Sequence, residues 1–128
     1  MRALRPLVQP EVFQWFGLFA AGLAWTAQLV IGFGVTLARC GAGSMRWGID
    51  VTTWEIALTV VAGLFAVLAE AAALTVFLET RSVEHDDPPP VGRRHFFASA
   101  AALGNVLFLM IIVLTGIGVL VHSPCQQA

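Results

Sequence analysis

Three long apolar runs govern what this chain can fold into. The first, residues 13–37, reads FQWFGLFAAGLAWTAQLVIGFGVTL and holds no charge. The second, residues 54–78, reads WEIALTVVAGLFAVLAEAAALTVFL and carries only Glu55 and Glu70. The third, residues 96–121, reads FFASAAALGNVLFLMIIVLTGIGVLV and is again uncharged. Each exceeds the roughly 20 residues that a helix needs to cross about 30 Å of hydrocarbon. Backbone groups in lipid must bond internally, so the runs read as helices despite their Val and Ile content. Composition agrees: the 128 residues are 58% hydrophobic and only 12% charged, against about 25% charged in a soluble domain. The sequence therefore predicts a single all-α membrane domain over residues 1–128, with three transmembrane helices at about 13–37, 54–78 and 96–121.

Arginine placement sets the expected orientation. Arg2 and Arg5 precede the first span, and Arg81, Arg93 and Arg94 lie between the second and third. Only Arg39 and Arg46 fall on the other side. The positive-inside rule then puts the N-terminus and the 79–95 loop inside and the C-terminus outside. Trp15 falls near the inner interface, and Trp47 and Trp54 near the outer one, as an aromatic belt requires. The TLARC stretch has a faint likeness to a lipoprotein cleavage motif. Arg39 stands where that motif needs a small residue, and the run outlasts the 7–15 residues of a typical signal core, so the first span reads as retained. All seven basic residues are arginine, which fits a high-GC bacterial genome and a plasma (inner) membrane location. A net charge of −1 leaves no basic footprint for nucleic acid.

The two cysteines fall just past the spans that this orientation turns outward. Cys40 follows the first and Cys125 the third, on the oxidising side of a bacterial membrane. A Cys40–Cys125 disulfide is expected. It would pin a C-terminal tail that otherwise frays, and loop-closure entropy for a ring of this size is roughly 4–5 kcal/mol. A second reading remains open. Cys40, Met45, His122 and Cys125 share that side, and thiolate, thioether and imidazole suit copper, although their spacing carries no metal signature. No CxxC pair favours thiol exchange.

Inside the membrane, Glu70 is the group that needs explaining, because an intramembrane carboxylate is by default a functional hypothesis. Counting 1.5 Å per residue, Glu70 and Asn105 share a depth, and Trp25 lies near that level. A Glu70–Asn105 hydrogen bond is expected, as interhelical glue worth about 1 kcal/mol or as contact with a partner. A proton relay needs several acids or histidines in series. The spans hold no second acid except Glu55, at the outer edge. His85 and His95 read as inner-loop residues and His122 as an outer-surface one, so no two imidazoles face each other at one depth to hold haem. There is no phosphate loop, nucleophile elbow or zinc pattern. The loops, 38–53 and 79–95, are too small for a catalytic domain, and no enzyme activity or cofactor is expected. Pro88–Pro90 favours extended backbone and is expected to stop the second helix.

Small residues line each span: Ala20, Ala24 and Ala27; Ala62, Ala66, Ala69 and Ala73; Ala98 and Ala102. Such stripes pack helix on helix, and they exceed what three spans need. The surplus predicts docking on a larger integral membrane complex, within lipid, or self-association.

Two segments, AAGLAWTAQLVIGFGVTLARC and HSPC, carry a resemblance. With Trp25, Cys40 and Cys125 they look like the small three-span proteins encoded beside bacterial cytochrome c oxidase genes. That pattern has a small residue and Trp in span one, a cysteine just after it, and an Asp-Pro-Cys-like end, here Ser-Pro-Cys. More loosely the chain resembles the three-span fourth subunits of such oxidases. The resemblance implies association with a haem-copper oxidase or respiratory supercomplex as a non-catalytic accessory subunit. The rival expectations are a copper-handling oxidase assembly factor using Cys40 and Cys125, and a small subunit of photosynthetic or hydrogenase machinery.

Overall fold

The computed structural model describes residues 10–41, 48–83, 87–123 and 125–126. Arg2, Arg5, Met45, Arg46, Trp47 and His85 lie outside the described residues. Three helices follow in order: α1 (Pro10–Cys40), α2 (Val51–Thr80) and α3 (Val91–Val121). All three are long and apolar enough to cross a membrane, with mean hydropathies of 1.7, 2.2 and 2.5. They run up, down and up, each touching the other two, and α1 and α3 share the smallest interface. One end of the bundle carries the cysteines and the other the proline loop.

Each helix outlasts its apolar run, and the ends explain why. α1 opens on Pro10 and Glu11. Proline suits the first turn, where its missing N–H costs nothing, and an acid there meets the positive end of the helix dipole. At its far end Arg39 donates to the Ile49 carbonyl at 2.7 Å, bracing the chain that leads into α2. α2 begins three residues before its apolar run because Asp50 caps it: the Thr53 N–H and hydroxyl both donate to the Asp50 carboxylate. The proline run does not end α2. That helix stops at Thr80, whose hydroxyl turns back to the Val76 carbonyl at 2.9 Å. Instead Pro90 stands at the head of α3 in helical conformation. α3 therefore takes in Arg93, Arg94 and His95, which the apolar pattern alone assigns to the loop.

The core is made largely of alanine. Ala62, Ala66, Ala69, Ala72 and Ala73 of α2, with Ala21, Ala98, Ala101 and Ile112, are buried. Leucine and phenylalanine point outward instead, with Leu23, Phe33 and Leu103 each about two-thirds exposed or more. That inversion suits lipid, where apolar burial offers no driving force and helices associate through close packing. Gly17 marks a close approach of two backbones. A Cβ there would meet the Ala73 backbone nitrogen at 3.0 Å, so only glycine lets α1 lie directly against α2.

Candidate functional site

The polar residues of the spans gather in three places on the bundle axis. Nearest the proline loop, His95 is buried against α2. Its ring stacks on Phe77, centroids 5.2 Å apart, and its Nδ1 lies 3.1 Å from the Thr80 hydroxyl. This is a lock between the end of α2 and the start of α3. Its position could not be read from periodicity, because helix α3 starts five residues before the apolar pattern does.

Midway lies Glu70. Its carboxyl lies beside the Asn105 side chain. The Asn105 amide donates to the Gly17 carbonyl at 2.8 Å, itself fully enclosed. One asparagine thus ties α3 to α1 and lies beside Glu70 of α2. Gly17 is also where the α1 backbone lies close against Ala73 of α2. Glu70 Oε2 is buried and has no hydrogen-bond partner. Trp25 does not join this cluster. Its ring packs on Phe108 at 5.7 Å, and its indole nitrogen is buried and unpartnered. Trp25 lies instead against the apolar plug of Ala21, Ala62, Ala66, Ala69 and Ile112, which separates Glu70 from the polar groups beyond it.

Those groups form the third cluster, which sequence reasoning missed. Gln28 is 2% exposed, and its amide donates to the Thr59 hydroxyl at 3.0 Å. The Gln28 Oε1 is buried without a partner. Thr59 in turn donates to the Glu55 carbonyl at 2.8 Å, and the Thr36 side chain lies beside the Glu55 carboxyl. Gln28 sits in the middle of an uncharged run, and that was the available signal: a full amide in a span needs partners.

At the same end Cys40 and Cys125 are joined, with Sγ atoms 2.01 Å and Cα atoms 5.4 Å apart. Both thiols are consumed, so neither offers a thiolate in this form. The His122 ring faces the Gly118 carbonyl at 3.1 Å. Among the described residues no three His, Cys, Asp or Glu side chains come together as a metal set. Outside the spans, hydrogen bonds from Thr53, first its hydroxyl and then its N–H, hold the Asp50 carboxyl below the ordinary carboxylate range.

Most of the alanine stripes are used inside the bundle. Ala62, Ala66, Ala69, Ala73 and Ala98 are all buried. Ala20, Ala24 and Ala27 of α1 are not. With Phe16, Leu23 and Phe65 they line a lipid-facing groove of about 420 Å³ between α1 and α2. Comparison with known protein families, with curated proteins and with solved structures finds none that this chain matches.

Proposed function

We propose that this chain is a non-catalytic accessory subunit bound at the periphery of a larger respiratory membrane complex, a haem-copper oxidase assembly in the bacterial plasma membrane. In that setting the N-terminus and proline loop are inside and the disulfide outside, as the arginine distribution favours. The observation that carries the reading is the α1–α2 groove with its small-residue floor of Ala20, Ala24 and Ala27. Small residues leave room for another helix to approach closely, which is how membrane helices associate. The rest of the interior supports it from the opposite direction. The carboxyl of Glu70 lies beside Asn105 and an apolar plug lies beyond it, an arrangement suited to holding helices together rather than to passing protons.

The test is purification of the tagged chain in mild detergent, followed by mass spectrometry of what stays bound. A mature oxidase recovered in stoichiometric amount supports the reading. Replacing Ala27, the exposed alanine of the groove, by a bulky residue (A27F) should release it while leaving the three-helix fold intact by circular dichroism. A monodisperse protein with activity of its own would refute the proposal. Copper retained by the reduced chain, with no enzyme attached, would favour a role in oxidase assembly instead.

A further inference from the structure

A second cavity, of about 340 Å³, opens between α1 and α3 at the disulfide end. Its polar lining is Gln28 and Thr36 of α1, Glu55 of α2 and Thr115 of α3. Leu29, Phe33 and Val119 form apolar wall. Leu37, one helical turn before Cys40, also lines it, so the disulfide ties the two helices that frame the cavity. The space is built around its polar groups. A Cβ on Gly32 would lie 2.7 Å from Glu55 Oε1, so the glycine is what lets the carboxyl rest against α1.

The hydrogen-bond inventory is lopsided toward acceptors. Thr59 donates to the Glu55 carbonyl and Thr115 to the Ile111 carbonyl. Thr36 lies beside Glu55, and the Gln28 amide donates to Thr59. What remains is the Glu55 carboxylate and the buried, unpartnered Gln28 Oε1. Among the described residues Glu55 forms no ion pair. A carboxylate and an amide side chain with an unpartnered oxygen, both lining one space, suit a group with several N–H donors and positive charge, and an ammonium has three donors and no acceptor.

The surroundings narrow the carrier. The cavity falls within the range of about 300–1,000 Å³ typical of small-molecule sites, far larger than a bare ion needs. Its wall is aliphatic and aromatic. Glu55 lies five residues below the exposed cap Asp50, roughly 7 Å at 1.5 Å per residue, which a headgroup from the adjoining leaflet reaches. We infer that this cavity binds the primary ammonium headgroup of an aminophospholipid, with the ammonium on Glu55 and Gln28 Oε1 and the lipid body along Leu29 and Phe33. This assignment does not depend on which complex the chain joins.

The full chain provides a direct assay, because it contains no lysine. In vesicles of phosphatidylethanolamine and phosphatidylglycerol, a membrane-permeant carbodiimide should condense the Glu55 carboxyl with the lipid amine. The carbodiimide takes up the water released and an amide forms. Mass spectrometry should then find the Glu55 peptide heavier by one phosphatidylethanolamine less one water. The adduct should be absent in E55Q and absent when phosphatidylcholine, whose quaternary ammonium has no N–H, replaces phosphatidylethanolamine. Native mass spectrometry of the purified chain should show phosphatidylethanolamine retained over phosphatidylcholine by about tenfold, the weight of one charge-assisted hydrogen bond. That preference should fall in Q28L, with the disulfide and helicity checked to confirm the fold. Equal retention of the two lipids, or no adduct in the folded wild type, would overturn the assignment. So would a Glu55 adduct to the lysine of a co-purified protein, which would give the cavity to a partner chain.

Discussion

The two ends of this bundle are closed in different ways. At the disulfide end a covalent bond joins the last residue of α1 to the tail four residues past α3, yet beneath it the helices leave a cavity lined by Gln28, whose amide oxygen is unpartnered. At the proline-loop end no such bond exists among the described residues. Closure there rests on His95 against Phe77 and Thr80, backed by the Asn105 tie at mid-depth. One end is held from above with a cavity below, and the other is joined by side-chain contact. Helices that meet through close side-chain contact need no clamp, whereas helices held apart around a polar space do.

If the clamp compensates for the cavity, breaking it should cost more stability than disturbing either polar tie. The C40S/C125S double variant should lose about 2–5 kcal/mol of stability, the range for a native disulfide. Thermal melting in detergent, followed by circular dichroism, measures it. Hydrogen exchange should rise around Thr36, Glu55 and Thr115 and stay unchanged around Thr80 and His95. Uniform loosening of both ends would mean that the disulfide stabilises the whole bundle rather than its open end.

A smaller effect is expected at mid-depth. N105L removes the donor to Gly17 and the amide beside Glu70. The cost should be about 1–2 kcal/mol, since polar contacts in membranes are individually modest. E70Q keeps an amide that pairs with Asn105 and should cost less than about 1 kcal/mol. A reversal of that order would show that the charge on Glu70, and not the hydrogen bond, matters to the fold. The lock at the proline-loop end ranks next. H95A should lose about 0.5–1.5 kcal/mol, with increased exchange confined to the last turn of α2 and the first of α3.

The parts of this architecture that are legible in the sequence are those that follow from the solvent. Lipid demands long uncharged helices, so the three spans, their order and the depth match of Glu70 with Asn105 can be read from run lengths. Lateral position is not legible. Depth on α1 is also misread: Gly17 is the α1 residue at the Asn105 level, and Trp25, eight residues or about 12 Å further along, faces Phe108. An all-apolar helix also gives no amphipathic stripe from which to deduce the packed face. Gln28 escapes notice for the same reason: its partner Thr59 is apparent only once the helices are rotated into place. His95 reads as a loop residue because its neighbours Arg93 and Arg94 are charged. Charge ends an apolar run without ending a helix, and α3 begins at Val91, five residues before its apolar run.

The least of the effects concerns the entry to α2, where the cavity-bearing end meets solvent. Asp50 accepts from the Thr53 hydroxyl and N–H, and these bonds hold its carboxyl below the ordinary value of 3.8. A carboxyl lowered in the folded state stabilises that state when ionised. The contribution is therefore fully present above the unfolded value and is lost as pH falls through the lower, folded one. The relevant window lies below 3.8. Because Asp50 is open to solvent, salt should screen the effect, and only the first turn of α2 should respond. Acidification through that window should speed amide exchange at Thr53 and Trp54 while the Asn105 tie and the His95 lock hold. D50N, which can still accept hydrogen bonds but has no charge to lose, should remove the pH dependence. If exchange at the proline-loop end rises over the same pH range, the two ends are coupled more tightly than their separate means of closure imply.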